Sequence, residues 1–69
     1  MKDATGQEWL LVDEAARAVR VRPGTIRVWA TRETVRSQRI GSHRYVHLDD
    51  VRRAERLWRQ RIRARTTEL

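Results

Sequence analysis

Pro23 and the Gly41-Ser42 pair constrain this chain more than any other feature, because between them they divide its middle into a helix and a hairpin. Proline suits the first position of a helix, where its missing N–H would have no intrahelical partner and its φ is already set. Ile26, Trp29 and Ala30 follow at i, i+3 and i+4, the spacing of one buried helical face. A helix is therefore predicted over residues 23–32, with Val35 as the next core anchor. Further on, Gln38-Arg39-Ile40 and Arg44-Tyr45-Val46-His47 flank Gly41-Ser42. A glycine-led pair suits a tight two-residue turn between antiparallel strands. In that hairpin, over 38–47, alternation places Arg44, Val46 and Leu48 on one face and Tyr45 and His47 on the other.

The flanking segments read more coarsely. Residues 1–8 lack periodicity and are expected to be a frayed tail. Trp9-Leu10-Leu11-Val12 reads as a short entry strand or extended segment. Asp13 to Val19 reads as a helix, with acids at its positive end and alanines inside. Arg20-Val21-Arg22 is then the turn before Pro23. Asp49 is the expected N-cap of a last helix, Asp50 adds to the favourable dipole interaction, and Val51, Ala54, Leu57/Trp58 and Ile62 form its apolar stripe to about Arg63. The division is a tail at 1–8, a single domain at 9–65 and a C-terminal tail at 66–69. The fold class is mainly α with a small β-hairpin.

The chain has 69 residues and no cysteine. A domain of that size buries roughly 60% of its unfolded surface, which leaves no room for both a core and a deep catalytic cleft. Without cysteine there are no disulfides or thiolate metal sites. No apolar run nears the ~20 residues that span a bilayer, so a membrane partner is not expected and a cytoplasmic, nucleoid-associated location is. His43 and His47 have the i, i+4 spacing of a helical metal site, but in a strand they stand about 13 Å apart, too far to share an ion. No nucleophile, histidine and acid form a set. The expectation is a binding protein, not an enzyme, with no cofactor or metal.

Charge indicates what is bound. The net charge is +7, and 15 of the 16 basic residues are arginine. Residues 1–16 hold one lysine and four acids, net −3. Residues 17–48 hold eight arginines and one glutamate, net +7, and residues 49–69 hold seven arginines and four acids, net +3. A GC-rich genome explains the preference for arginine over lysine but not this clustering. A positive centre beside a negative N-terminal segment is a directed electrostatic footprint for a polyanion.

The second helix, turned with Ile26, Trp29 and Ala30 inward, presents Gly24, Val28 and Thr31 outward, with Thr25, Arg27 and Arg32 at the borders. Such a surface suits close approach to base edges, since arginine can take guanine bidentately and the methyls of threonine or valine can meet thymine methyls. Arg22 sits at the N-cap, where an acceptor is favoured and a cation opposes the helix dipole; a docked phosphate removes that conflict. In the hairpin, Arg39, Ser42, His43, Arg44 and Tyr45 can all donate to phosphate, and an arginine can enter a minor groove. A helix for the major groove followed by a basic hairpin is the layout of a winged helix-turn-helix, which makes double-stranded DNA the expected partner. Trp9, Trp29 and Trp58 are read as core, while Trp58 and Ile62 also suit a protein partner. RNA binding is the other nucleic-acid reading, although neither an RNP-type aromatic pattern nor a GXXG loop is present.

Taken together, WLLVDEAARAVRVRPGTIRVWATRE and RIGSHRYVHLDDV resemble the excisionase-like, MerR-related winged helix-turn-helix family. The resemblance covers residues 9 to 51 and rests on the EAA, the TIRVW, the RIG and the DDV that closes the wing. It implies a recognition helix at 23–32 in the major groove, a wing at 38–47 near the backbone or minor groove, and Trp29 in the core. It also implies Thr25, Arg27 and Arg44 as DNA contacts. Two roles fit: an excisionase, or recombination directionality factor, that binds repeated sites and bends DNA for an integrase, and a small MerR-like regulator of transcription. The first is favoured here. One such domain covers one half-site, so a homodimer or side-by-side copies on DNA are expected. Arg20 and Glu33 depart from the pattern, standing where such chains often have glycine; left-handed backbone there costs each roughly 1 kcal/mol. Leu11 stands where a threonine usually caps the first helix.

Overall fold

A computed structural model describes residues 1–67, with side chains described through Ile62. Three helices and a three-stranded antiparallel sheet form a small α/β domain in the order β1 (Trp9–Leu11), α1 (Val12–Val19), α2 (Pro23–Thr31), β2 (Ser37–Ile40), β3 (His43–His47) and α3 (Leu48–Thr67). Among the described residues no helix is long and apolar enough to cross a membrane.

The expected hairpin is present, but it belongs to a larger sheet. β1 pairs with β3 on the side away from β2, giving the order β1-β3-β2. Trp9 lies opposite His47 and Leu11 opposite Tyr45, so the apolar run before α1 completes the sheet instead of merely leading into the helix. Gly41 has a φ of 63° while Ser42 does not turn positive, the pattern of a turn with glycine first.

The core lies where α1, α2 and the start of α3 meet the inner face of this sheet. Ala15, Ile26, Val35, Val46 and Val51 are each at most 1% exposed. Ile26, Trp29 and Ala30 are the buried residues of α2, as their spacing requires. On α3, Val51 and Ala54 are buried, whereas Leu57, Trp58 and Ile62 are 37–53% exposed, so the apolar stripe outlasts the core it fills. Trp58 nonetheless meets Trp29 edge to face, with ring centroids 6.5 Å apart.

The helix ends explain the turn. Arg20 is left-handed (φ 59°, ψ 48°), and its N–H and that of Val21 both reach the Ala16 carbonyl. Glu33 is left-handed too (φ 60°). There the Thr34 N–H bonds the Trp29 carbonyl at 2.8 Å and the Glu33 N–H bonds the Ala30 carbonyl at 3.1 Å, a full Schellman closure. Both positions thus use glycine geometry without glycine. At the start of α1, Leu11 offers no cap, and Glu14 Oε1 supplies half a capping box by accepting the Leu11 N–H at 3.0 Å.

Three sequence expectations need correction. Residues 1–8 are not a frayed tail. Lys2 bridges Glu8, and one Asp3 oxygen accepts from the Thr5 N–H, the Thr5 hydroxyl and the Gln7 N–H, while the other accepts from the Trp9 indole at 2.7 Å. These bonds hold the Asp3 carboxyl well below the usual range, the Thr5 side chain contributing most and Trp9 next. Second, α3 runs past Arg63 to Thr67, so Thr66 and Thr67 are helical; residues 68–69 of the expected C-terminal tail lie outside the described residues. Third, Asp49 is not the cap of α3. The helix begins at Leu48, and the ring Nδ1 of His47 takes the Asp50 N–H at 3.3 Å.

Candidate nucleic-acid interface

Alternation along the hairpin places Arg39 directly opposite Arg44 in the β2–β3 register. Like charges facing one another across a strand pair are destabilising. Both arginines border one open cleft of about 550 Å³, which α1 and α2 complete with Arg17 and Arg27. Ser42 and His43 lie at its hairpin end. Asp13 and Glu14 at the start of α1 also line it, so the cleft holds four guanidiniums and two carboxylates, a formal net charge of +2 with histidine counted neutral. None of the four guanidiniums forms an ion pair among the described residues. The cleft therefore brings together unpaired guanidinium donors from two helices and the sheet in excess over its carboxylates, a lining whose charge suits an anion.

Five of the ten residues singled out from the sequence meet here: Arg27, Arg39, Ser42, His43 and Arg44. Thr25, Val28 and Arg32 do not. They line a groove on the other side of α2, which Trp29 of the same helix floors and α3 closes with Ala54, Leu57, Trp58 and Arg61. Val28 is 46% exposed on the outer face of α2. Arg22 is the N-cap of α2 and makes no side-chain cap bond, leaving its exposed guanidinium beside the positive helix end. Tyr45 is half-buried in the middle strand between Leu11 and Gln38, within the strand as expected but not among the residues that line the cleft.

Arg17 was missed by sequence reasoning. The signal was available: on the wheel of α1 it lies opposite Ala15, Ala16 and Val19, the buried face. Arg36, by contrast, lies in the same basic segment but serves the fold. Its backbone N–H, Nε and Nη2 all donate to the Asp50 carboxylate, at 3.0, 2.8 and 3.2 Å. The Arg36 side chain is the main reason the Asp50 carboxyl is pushed down to about 2.

His47 serves the fold as well. Its expected face, shared with Tyr45, is closed at this end of the sheet. Trp9 meets the imidazole edge to face at 5.1 Å, and His47 is 2% exposed. With Nδ1 accepting from Asp50, Nε2 is left to donate to the Gln7 side-chain carbonyl. His43 stays exposed at the other end of β3, so the two histidines have separate surroundings.

No family model, curated protein or solved structure matches this chain. The functional reading therefore rests on the residues and their placement.

Proposed function

We propose that this chain is a sequence-specific double-stranded DNA-binding protein of winged helix-turn-helix type. α1, the three-residue turn and α2 act as the helix-turn-helix, and the recognition helix over 23–32 enters the major groove. The hairpin over 38–47 is the wing and follows the backbone or minor groove. The observation that carries this reading is the facing pair Arg39 and Arg44, directed with Arg17 and Arg27 into one cleft. A sheet that sets two cations opposite each other loses stability unless an anion lies between them, and the phosphodiester backbone is an anion with regular spacing. Within α2, Arg27 and Arg32 are the candidates for guanine, and Val28 for a thymine methyl.

Within this class the proposed role is that of an excisionase. A domain with one recognition helix reads one half-site, so it works through repeated sites, side-by-side copies or a homodimer, with an integrase as protein partner.

Fluorescence anisotropy on duplex DNA tests the binding itself. With Arg27 and Arg32 on base edges, Arg17, Arg22, Arg39 and Arg44 offer four phosphate contacts. A slope of −0.9 per contact lowers affinity by about 10² between about 50 and 200 mM salt. Arg27→Ala combined with Arg44→Ala abolishes the specific complex while the helical signal in circular dichroism is retained. A flat salt response, or binding untouched by the double substitution, rejects the interface. Sequencing of source-genome fragments retained by the protein tests the role. Closely spaced repeats beside an integrase attachment site support the excisionase, and sites spread over promoters replace it with a MerR-like regulator.

A further inference from the structure

We infer that Arg20, Arg52 and Arg56 form a second phosphate-binding surface, which takes the backbone of a second DNA duplex so that one chain can bridge two segments. The nature of the ligand rests on the DNA-binding reading above. The existence of a second surface rests on independent observations.

A shallow hollow of about 420 Å³ lies between the C-terminal end of α1 and the middle of α3, and its charged lining is Arg20, Arg52, Arg56, Arg59 and Glu55. Arg59 is already engaged: it pairs with Glu55 one turn earlier, and its Nη2 donates to the Val19 carbonyl at 3.4 Å. Those contacts fasten α3 to the end of α1 and fix the hollow. Arg20, Arg52 and Arg56 are exposed, and among the described residues their side chains have no hydrogen-bond or ion-pair partner.

Two of the choices that build this patch work against the fold. Arg20 occupies a left-handed position (φ 59°) that glycine would hold without strain. Arg52 and Arg56 are like charges at i and i+4 of α3, a spacing that destabilises a helix. A polyanion lying along the hollow relieves the repulsion and makes use of the strained arginine.

The chemistry favours nucleic-acid backbone over a protein. Protein interfaces are centred on aromatic and apolar side chains. Val28, Ile40, Leu57, Trp58 and Ile62 are exposed, yet none of them lines this hollow. Phosphate contacts need only placed cations. The position favours a second duplex over the first. The flank of α3 carrying Leu57 and Arg61 borders α2, whereas the flank carrying Arg52 and Arg56 borders the end of α1. The width of α3 therefore separates Arg52 and Arg56 from the groove beside the recognition helix, while Arg20, two residues before Arg22, marks the edge between the two surfaces.

A two-duplex capture assay tests the inference. The full chain is bound to an immobilised duplex carrying its selected site, and retention of a labelled second duplex is measured at about 100 mM salt, alongside single-duplex affinity by anisotropy. Wild type retains the second duplex. Arg52→Ala with Arg56→Ala lowers that retention by more than about tenfold, since two phosphate contacts and their released counterions are lost. The same variant keeps single-duplex affinity within about twofold, and as alanine is the best helix former it stays folded. Retention unchanged in the variant overturns the inference, as does an equal loss of single-duplex affinity, which would put the patch on the first duplex. Wild type that holds the first duplex and captures no second one overturns the bridging surface alone. Wild type that binds no duplex overturns the DNA-binding reading and this inference with it.

Discussion

Replacing Asp50 with asparagine should make this domain less stable at neutral pH and leave its stability nearly unchanged near pH 2. The Asp50 carboxylate accepts three hydrogen bonds from Arg36 and is 9% exposed. Its pKa is lowered from 3.8 to about 2, first by the Arg36 side chain, against the opposing effect of burial. A folded-state pKa below the unfolded one means the ionised carboxylate stabilises the fold. That contribution is complete above about pH 4 and is lost as pH falls through the folded value. At about 1.4 kcal/mol per pH unit the difference amounts to about 2–3 kcal/mol. Because the Arg36 side chain is 62% exposed, solvent screens the pair and the realised figure lies between about 1 and 2 kcal/mol. For a domain of this size each kcal/mol moves Tm by about 4–8 °C. Urea titrations of wild type and Asp50→Asn, followed by circular dichroism from pH 7 down to pH 2, measure the gap directly. The two curves should converge below pH 4. A gap of the same size at pH 7 and at pH 2 would mean that the charge on Asp50 contributes nothing and that the loss comes from packing alone.

Three further outcomes can be checked independently. Glu33→Gly and Arg20→Gly each relieve a positive φ and should raise stability by about 1 kcal/mol in thermal melts; a lower Tm in both would show that side-chain contacts outweigh the strain. Asp3→Ala removes the acceptor shared by Thr5, Gln7 and the Trp9 indole, so amide exchange should accelerate at Thr5 and Gln7 and Trp9 emission should shift to the red, with helix content preserved. Unchanged exchange at those amides would mean the Lys2–Glu8 bridge holds the segment by itself. Arg17→Ala should weaken DNA binding and reduce the salt slope by about 0.9, and an unaltered slope would remove α1 from the interface.

The sequence was most legible where single residues have strong local consequences. Pro23, the Ile26–Trp29–Ala30 spacing and Gly41-Ser42 mark α2 and the hairpin because each acts within a few positions of itself. Arg20 and Glu33 stood out only through the family resemblance, whose pattern often has glycine at those two positions. Residues 1–8 were not legible, since polar residues without a period carry no packing signal; the organising acceptor is Asp3, and its Asx-type bond to Thr5 was the one local clue. Arg36 and Asp50 are 14 residues apart, and only the placement of β2 beside the start of α3 brings them together. His47 was assigned its face by alternation, but that face is closed by the N-terminal segment, which no periodicity announces. Within the site, arginines on α2 and the hairpin stood out from their density, while Arg17 was passed over because α1 was read for its alanines.

The junction of β3 and α3 has a mechanical consequence. His47 ends the strand and Leu48 begins the helix, with no residue between them, and the same imidazole that lies in the sheet caps the helix. Strand and helix therefore share one pivot. Because α3 is also tied to α1 through Arg59 and the Val19 carbonyl and to α2 through Trp58 and Trp29, a load on the hairpin is passed through the start of α3 to both other helices, and whatever the hairpin grips is felt at the far ends of the domain.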